Sequence, residues 1–353
     1  MPARFLCPGG VLLAAIATAM AAPPAHPVVP GLAAHPDLDP ATAGALLLGE
    51  LNCTSCHAAG DHARWIRRKA APSPVVAGLR IRPAYLRRFI ADPQSAKPGT
   101  TMPQVLGQLS EKERAEAVEA LTHYLVRSAP KPGPFVPLDP ESVARGRKLY
   151  HTVGCVACHD PEDRDLADSV PLGPLAEKYH LAHLVRYLED PLAVRPGGRM
   201  PDLGLDHFEA VDIASFLLRD QKGDEPGFTI DDELANRGTG LFKSLGCAEC
   251  HRAPDEAGKK AAPLRELNPA NGCLSGKAGS WPRYSLSDRQ TNSIAAALKS
   301  KRPHPTPSDE IELIMTRHNC LACHSRDDFG GIAPGRRPWF TTTNVNLGEQ
   351  ASV

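Results

Sequence analysis

Cys53-Thr-Ser-Cys56-His57, Cys155-Val-Ala-Cys158-His159, Cys247-Ala-Glu-Cys250-His251 and Cys320-Leu-Ala-Cys323-His324 punctuate a chain of 353 residues. Each reads C-x-x-C-H, the signature of covalent c-type haem attachment. Two cysteines three positions apart lie on one face of a helical turn, so both sulfurs can form thioethers with one porphyrin edge. The histidine that follows is carried beneath the iron as its proximal ligand. With 10 cysteines and 14 histidines in the chain, random order supplies on the order of 0.01 such pentads. Four are present.

Paired C-x-x-C units for zinc usually lie ~15–20 residues apart, whereas these motifs start 102, 92 and 73 residues apart. A thioredoxin-like dithiol would need a β-α-β setting and would not recur four times with a histidine behind it. Structural disulfides leave the histidines unexplained. The expectation is four covalent haem c groups, with His57, His159, His251 and His324 as iron ligands.

Forty basic and 40 acidic residues cancel, so nothing suggests nucleic acid or an acidic membrane surface as a partner. Thirty-five prolines and 29 glycines indicate small helical units with much loop. The aromatic content of 5% suits domains whose core is supplied partly by a prosthetic group. At the start, Arg4 precedes an apolar run from Val11 to Met20, and Ala19 and Ala21 make a small-residue cleavage site. Residues 1–22 therefore read as an export signal, since a run of about ten residues is too short to span a bilayer. An ordinary buried N-terminal helix is the alternative. Cys7 lies before the apolar run, in a poor lipidation setting. No other stretch is apolar for long enough to make a membrane helix, so none is expected in the mature chain. Export to the periplasm or the outer face of the membrane agrees with where bacteria attach haem to cysteine.

Taken in order, residues 23–40 read as an extended, proline-rich leader without a core. A helix from Ala41 to Leu51 then delivers Cys53. A short helix near Pro83–Ile90 follows, opened by proline, then the loop Lys97-Pro-Gly-Thr-Thr-Met102-Pro103. A helix from Ser110 to Val126 carries a capping box. After a linker at 128–140 the plan repeats. Residues 141–150 lead to Cys155, 180–191 match 82–93, Arg195-Pro-Gly-Gly-Arg-Met200-Pro201 matches the methionine loop, and 206–218 close the unit. A second linker covers 220–230. The third unit leads in with 231–242 and closes with 287–298, but has no methionine loop. A third linker spans 302–307, and residues 308–317 lead to Cys320. The 29 residues after His324 hold neither a methionine nor a convincing helix.

Leading helix, C-x-x-C-H, short helix, methionine loop and closing helix together resemble the class I cytochrome c domain. The resemblance covers 41–127 and 141–220 well, 231–300 in part and 308–353 in its first half. It implies an all-α chain of small cytochrome c-like domains in tandem, joined by proline-rich linkers. In that family the first and last helices of a domain cross over the haem, and a loop methionine is the sixth iron ligand, which raises the reduction potential. Met102 and Met200 match that position, 45 and 41 residues after their histidines; the alternative is a methionine filling an apolar gap. The family also has a proline whose carbonyl accepts the proximal Nδ1–H, and Pro174, Pro74 and Pro263 are candidates. With no methionine in reach, the third haem is expected to be five-coordinate or to take another ligand. Cys273 and His304 lie in the right interval, though a buried thiol and an exposed histidine are the plainer readings of each. The fourth unit looks truncated: either the sequence is a fragment of a longer protein, the favoured reading, or a partner completes this haem. Large exported proteins of planctomycete-type bacteria string such domains together, and the chain resembles them weakly.

The expected function is electron carriage through covalent haems between redox partner proteins, with catalytic residues absent. The alternative is a haem enzyme of peroxidase type, or the electron-accepting part of a dehydrogenase. It is motivated by the missing methionines and opposed by the lack of a distal His/Arg or His/Glu constellation.

Overall fold

A computed structural model describes residues 26–127, 137–166, 169–222, 227–251, 261–268, 270–277, 279–301, 304–326 and 329–340. The expected signal peptide and most of the first linker lie outside these residues. The fold is mostly helical, as expected. Among the described residues the sheet is an antiparallel pair of two-residue strands, Ser325–Arg326 and Phe329–Gly330. Among the described residues no helix is long and apolar enough to cross a membrane.

The principal helices are α1 (Pro30–Ala34), α2 (Pro40–Glu50), α3 (Pro83–Ala91), α4 (Glu111–Val126) and α5 (Pro140–Thr152). They continue with α6 (Leu181–Glu189), α7 (His207–Leu217), α8 (Asp232–Ser244), α9 (Asp288–Lys299) and α10 (Pro307–His318). Their starts follow from local chemistry. Asp39, Asp139 and Asp231 accept from the first free amides of α2, α5 and α8. Reciprocal capping boxes open α4 (Ser110/Glu113), α7 (Asp206/Glu209), α9 (Ser287/Gln290) and α10 (Thr306/Asp309). Each cap contributes about 1 kcal/mol by satisfying amides that the helix cannot pair itself.

The helix crossings differ from the family expectation. In the second repeat, α5 crosses α7 as expected. In the other two, the partners are exchanged: α2 packs on α9, and α8 packs on α4. The leading helix of the first repeat is thus closed by the last helix of the third, and the reverse. A glycine on the leading helix permits each approach. A Cβ on Gly44 would overlap the Ser293 carbonyl, one on Gly146 that of Asp212, and one on Gly238 that of Ala120.

Three apolar clusters correspond to the three crossings. One joins Leu46, Leu47 and Leu48 of α2 to Ile294 and Ala297 of α9, with Trp65 and Leu264. The second joins Tyr150 of α5 to Ile213 and Phe216 of α7 and Leu184 of α6. The third joins Phe242 of α8 to Leu86 and Ile90 of α3 and to Val118 and Leu121 of α4.

The segment expected to be an extended leader is partly helical and partly core. Pro30, at the first turn, starts α1, and Val29 and Leu38 are buried. There α1 packs on α10, with Gly31 against the Thr316 backbone. Proline composition misled because proline is tolerated at a helix start, where its missing N–H costs nothing. After His324, the described part of the tail holds the strand pair and a 3-10 segment, Pro334–Trp339. It docks on the second cluster through Trp339 and Phe340.

Candidate functional site

All four C-x-x-C-H motifs are built alike. The residue before the first cysteine takes the left-handed conformation: Asn52 (φ 60°), Gly154 (109°), Gly246 (79°) and Asn319 (56°). That conformation ends the leading helix sharply, and Asn and Gly are the residues that adopt it at least cost. The motif then makes one helical turn. The histidine amide donates to the first cysteine's carbonyl at 3.2 Å for His57, 3.0 Å for His159, 2.9 Å for His251 and 2.9 Å for His324. The turn keeps the two sulfurs on one side with the imidazole following. The Asn or Gly before each motif was a legible signal that motif spacing alone does not use.

Three of the histidines are oriented by a backbone carbonyl. His57 Nδ1–H donates to Ala262 at 2.6 Å, His159 Nδ1–H to Val170 at 2.8 Å and His251 Nδ1–H to Pro72 at 2.8 Å. Such a bond fixes the tautomer and leaves Nε2 with its lone pair. The acceptors are not the expected prolines. Pro174 instead caps the next helical turn, while Pro74 and Pro263 are close in sequence to the acceptors used. Two acceptors come from the other repeat, in step with the helix exchange: Ala262 of the third serves His57, and Pro72 of the first serves His251. Burial lowers the pKa of His251 against the effect of its Pro72 bond. Burial likewise lowers that of His159 against its Val170 bond, with Lys97 adding to the depression. Both rings are thereby kept neutral. His324 is exposed and, among the described residues, has no such anchor.

One cysteine of each motif is plainly not set up as a nucleophile. Burial pushes Cys53 and Cys155 up to about 12, and Cys247 and Cys323 to about 11. Reactive C-x-x-C pairs and thiolate metal ligands have the opposite environment, one that depresses the thiol pKa. Among the described residues no group of three or more His, Cys, Asp or Glu could hold a metal ion by itself.

The motifs pack two by two. Ser55 Oγ lies 3.3 Å from Cys250 Sγ, joining motifs one and three. Asn319 Nδ2 donates to Cys158 Sγ at 3.5 Å, joining motifs four and two. Cys273 packs into the first cluster beside Cys53, its thiol pKa raised first by burial. His304 is exposed.

A cleft of about 100 Å³ opens where the first three repeats meet. Cys250, His251, Met102, Tyr284, Lys69 and Arg195 are among the residues that line it. The sequence pairs Met102 with His57; the structure brings it together with His251. Met200 packs in the same cluster as Cys155, in its own repeat as expected. The donor chemistry fits the haem that the motifs imply: paired thiols, a neutral imidazole with Nε2 available, and a thioether.

Glu50, buried at the end of α2, ties this region together. It accepts from Lys69 at 2.9 Å and from Arg199, the residue before Met200, at 2.5 Å. Burial acts to raise its pKa, but Lys69 and Arg199 outweigh that and hold it below its ordinary 4.5. Glu50→Gln should therefore cost about 3 kcal/mol at neutral pH, since it leaves two cations in a half-buried site without their charge partner. A carboxylate with a depressed folded-state pKa adds stability above its unfolded pKa and loses it as pH falls through the folded value. The difference between wild type and variant in urea midpoint should accordingly shrink below about pH 4.5. A difference that is constant from pH 7 to 3 would contradict this role. No protein-family model, no curated protein and no solved structure matches this chain.

Proposed function

We propose that the chain is an exported c-type cytochrome with four haems, which carries electrons between redox partner proteins. The observation that carries the reading is the shared build of the motifs. Four times a left-handed residue introduces a single turn bearing two cysteines and a histidine, and three times that histidine is fixed through Nδ1 by a carbonyl. The tandem class I cytochrome c organisation and periplasmic delivery by residues 1–22 belong to the same proposal.

In this reading the haems supply the one-electron chemistry. The chain's part is to bind, orient and space them. Each cysteine pair would hold one haem, the histidine that follows would supply an iron ligand, and Met200, packed on the second cluster with Cys155, would be available to the second haem. Cations lie near for haem carboxylates: Arg195 lines the cleft, as does Lys69, which is already paired with Glu50. Burial depresses Lys97 and Lys178 to about 7, and neither has an ion pair among the described residues. A bound carboxylate would relieve the cost of burying those charges. The motif-on-motif packing of one with three and two with four supports close haem pairs, suited to passing electrons.

A potentiometric titration of the purified chain tests the function. Several one-electron steps are expected, with methionine-ligated sites at the oxidising end. Redox-silent protein would refute it. Turnover of peroxide with most haem high-spin would instead favour the enzyme reading.

A further inference from the structure

We propose that the third attachment site takes its distal iron ligand from the first repeat, so that Met102 completes the haem held by Cys247, Cys250 and His251. This rests on the haem reading above and adds to it which iron each methionine serves. Among the first three motifs, it also moves the one without a methionine from motif three to motif one.

Three independent observations converge. First, Met102 lines one cleft with Cys250 and His251. Second, His251 is oriented by the carbonyl of Pro72, within the repeat that contains Met102. Third, α8, which leads into Cys247, is closed by α4, which follows Met102, and Gly238 meets the Ala120 backbone at the crossing. Cys247 itself packs against the third cluster, to which Leu86, Ile90 and Leu106 of the first repeat belong.

Register supports the same pairing. In the self-contained second repeat the anchoring carbonyl, Val170, precedes α6 by 11 residues and Met200 by 30. In the composite the anchoring carbonyl, Pro72, precedes α3 by 11 residues and Met102 by 30. The two segments therefore present carbonyl, short helix, methionine and closing helix in one spacing, one to His159 and the other to His251. Counting 30 residues on from Ala262, the anchor of His57, reaches Asn292 inside α9. No methionine occurs between Met200 and Met315. The first haem thus has a proximal histidine and an exchanged closing helix, but no thioether.

The test uses the full exported chain and the far-red charge-transfer band of methionine-ligated ferric haem. Wild type should carry two such bands' intensity, from Met102 and Met200. Met102→Ala should halve it, with four haems still attached by mass. Cys53→Ala/Cys56→Ala, which removes the first haem, should leave both contributions. Cys247→Ala/Cys250→Ala, which removes the third, should leave one, with the Met200 contribution reporting that the fold survives. The proposal is overturned if Met102→Ala leaves the band unchanged, if removing the first haem halves it, or if removing the third does not. Absence of covalent haem from the wild-type chain is a different result: it overturns the functional reading and this assignment with it.

Discussion

Gly238→Val is expected to destabilise the protein by about 3 kcal/mol or more, because a side chain there must displace helix backbone rather than a flexible neighbour. A Cβ at position 238 would overlap the Ala120 carbonyl and press on Tyr124, so α8 and α4 would have to separate along their crossing. Overpacking within a core usually costs ~1–3 kcal/mol, and the rigidity of both backbones sets this case at or beyond that upper end. Gly240, two residues on, has open space around its Cβ direction, so Gly240→Ala should be neutral or slightly stabilising through helix propensity. Thermal unfolding of the pair isolates the crossing from the general effect of removing glycine. Equal melting temperatures for the two variants would mean that α8 does not pack on α4.

Arg336→Leu should cost about 3 kcal/mol and loosen the second motif in particular. The side chain is 1% exposed. Its guanidinium donates to the carbonyls of Val156 and His159 and to Ser169 Oγ, each at 2.8 Å. These are charge-assisted bonds, and removing the donor leaves buried acceptors without it, at ~1–3 kcal/mol for the group. Trp339 and Phe340 of the same tail pack on the second cluster, so the tail acts as a clamp across the C-x-x-C-H turn. Amide exchange at Val156–His159 should accelerate in the variant, while exchange in α2 and α9 stays as in wild type. Unchanged protection at the motif would show the clamp to be inert.

Much of this architecture is legible in the sequence, because it depends on local chemistry. The four motifs, the caps Asp139 and Ser110, and the Pro-Gly-x-x-Met-Pro loops all state their structure within a few residues. The choice of helix partner is not local. Gly44, Gly146 and Gly238 offer the same narrow crossing, and connections favour sequence neighbours only as a tendency. Nothing in α2 alone distinguishes α4 from α9 as its partner. The exchange is fixed instead by long-range terms such as the Ala262 and Pro72 carbonyls on His57 and His251. The third motif has no methionine near it in sequence, and Met102, which lines a cleft with His251, is 149 residues upstream of that histidine. The leader, residues 23–40, is a different case: proline content suggests an extended chain, whereas Val29 and Leu38 are buried.

The central claim is that these four turns are haem-attachment sites, and intact mass of the exported chain, measured after denaturation and precipitation, tests it most directly. The account predicts a mass raised by four haems that denaturation does not remove, mapped by peptide analysis to Cys53/Cys56, Cys155/Cys158, Cys247/Cys250 and Cys320/Cys323. An unmodified mass with free thiols at those eight positions, from cells competent to attach haem to cysteine, would contradict it.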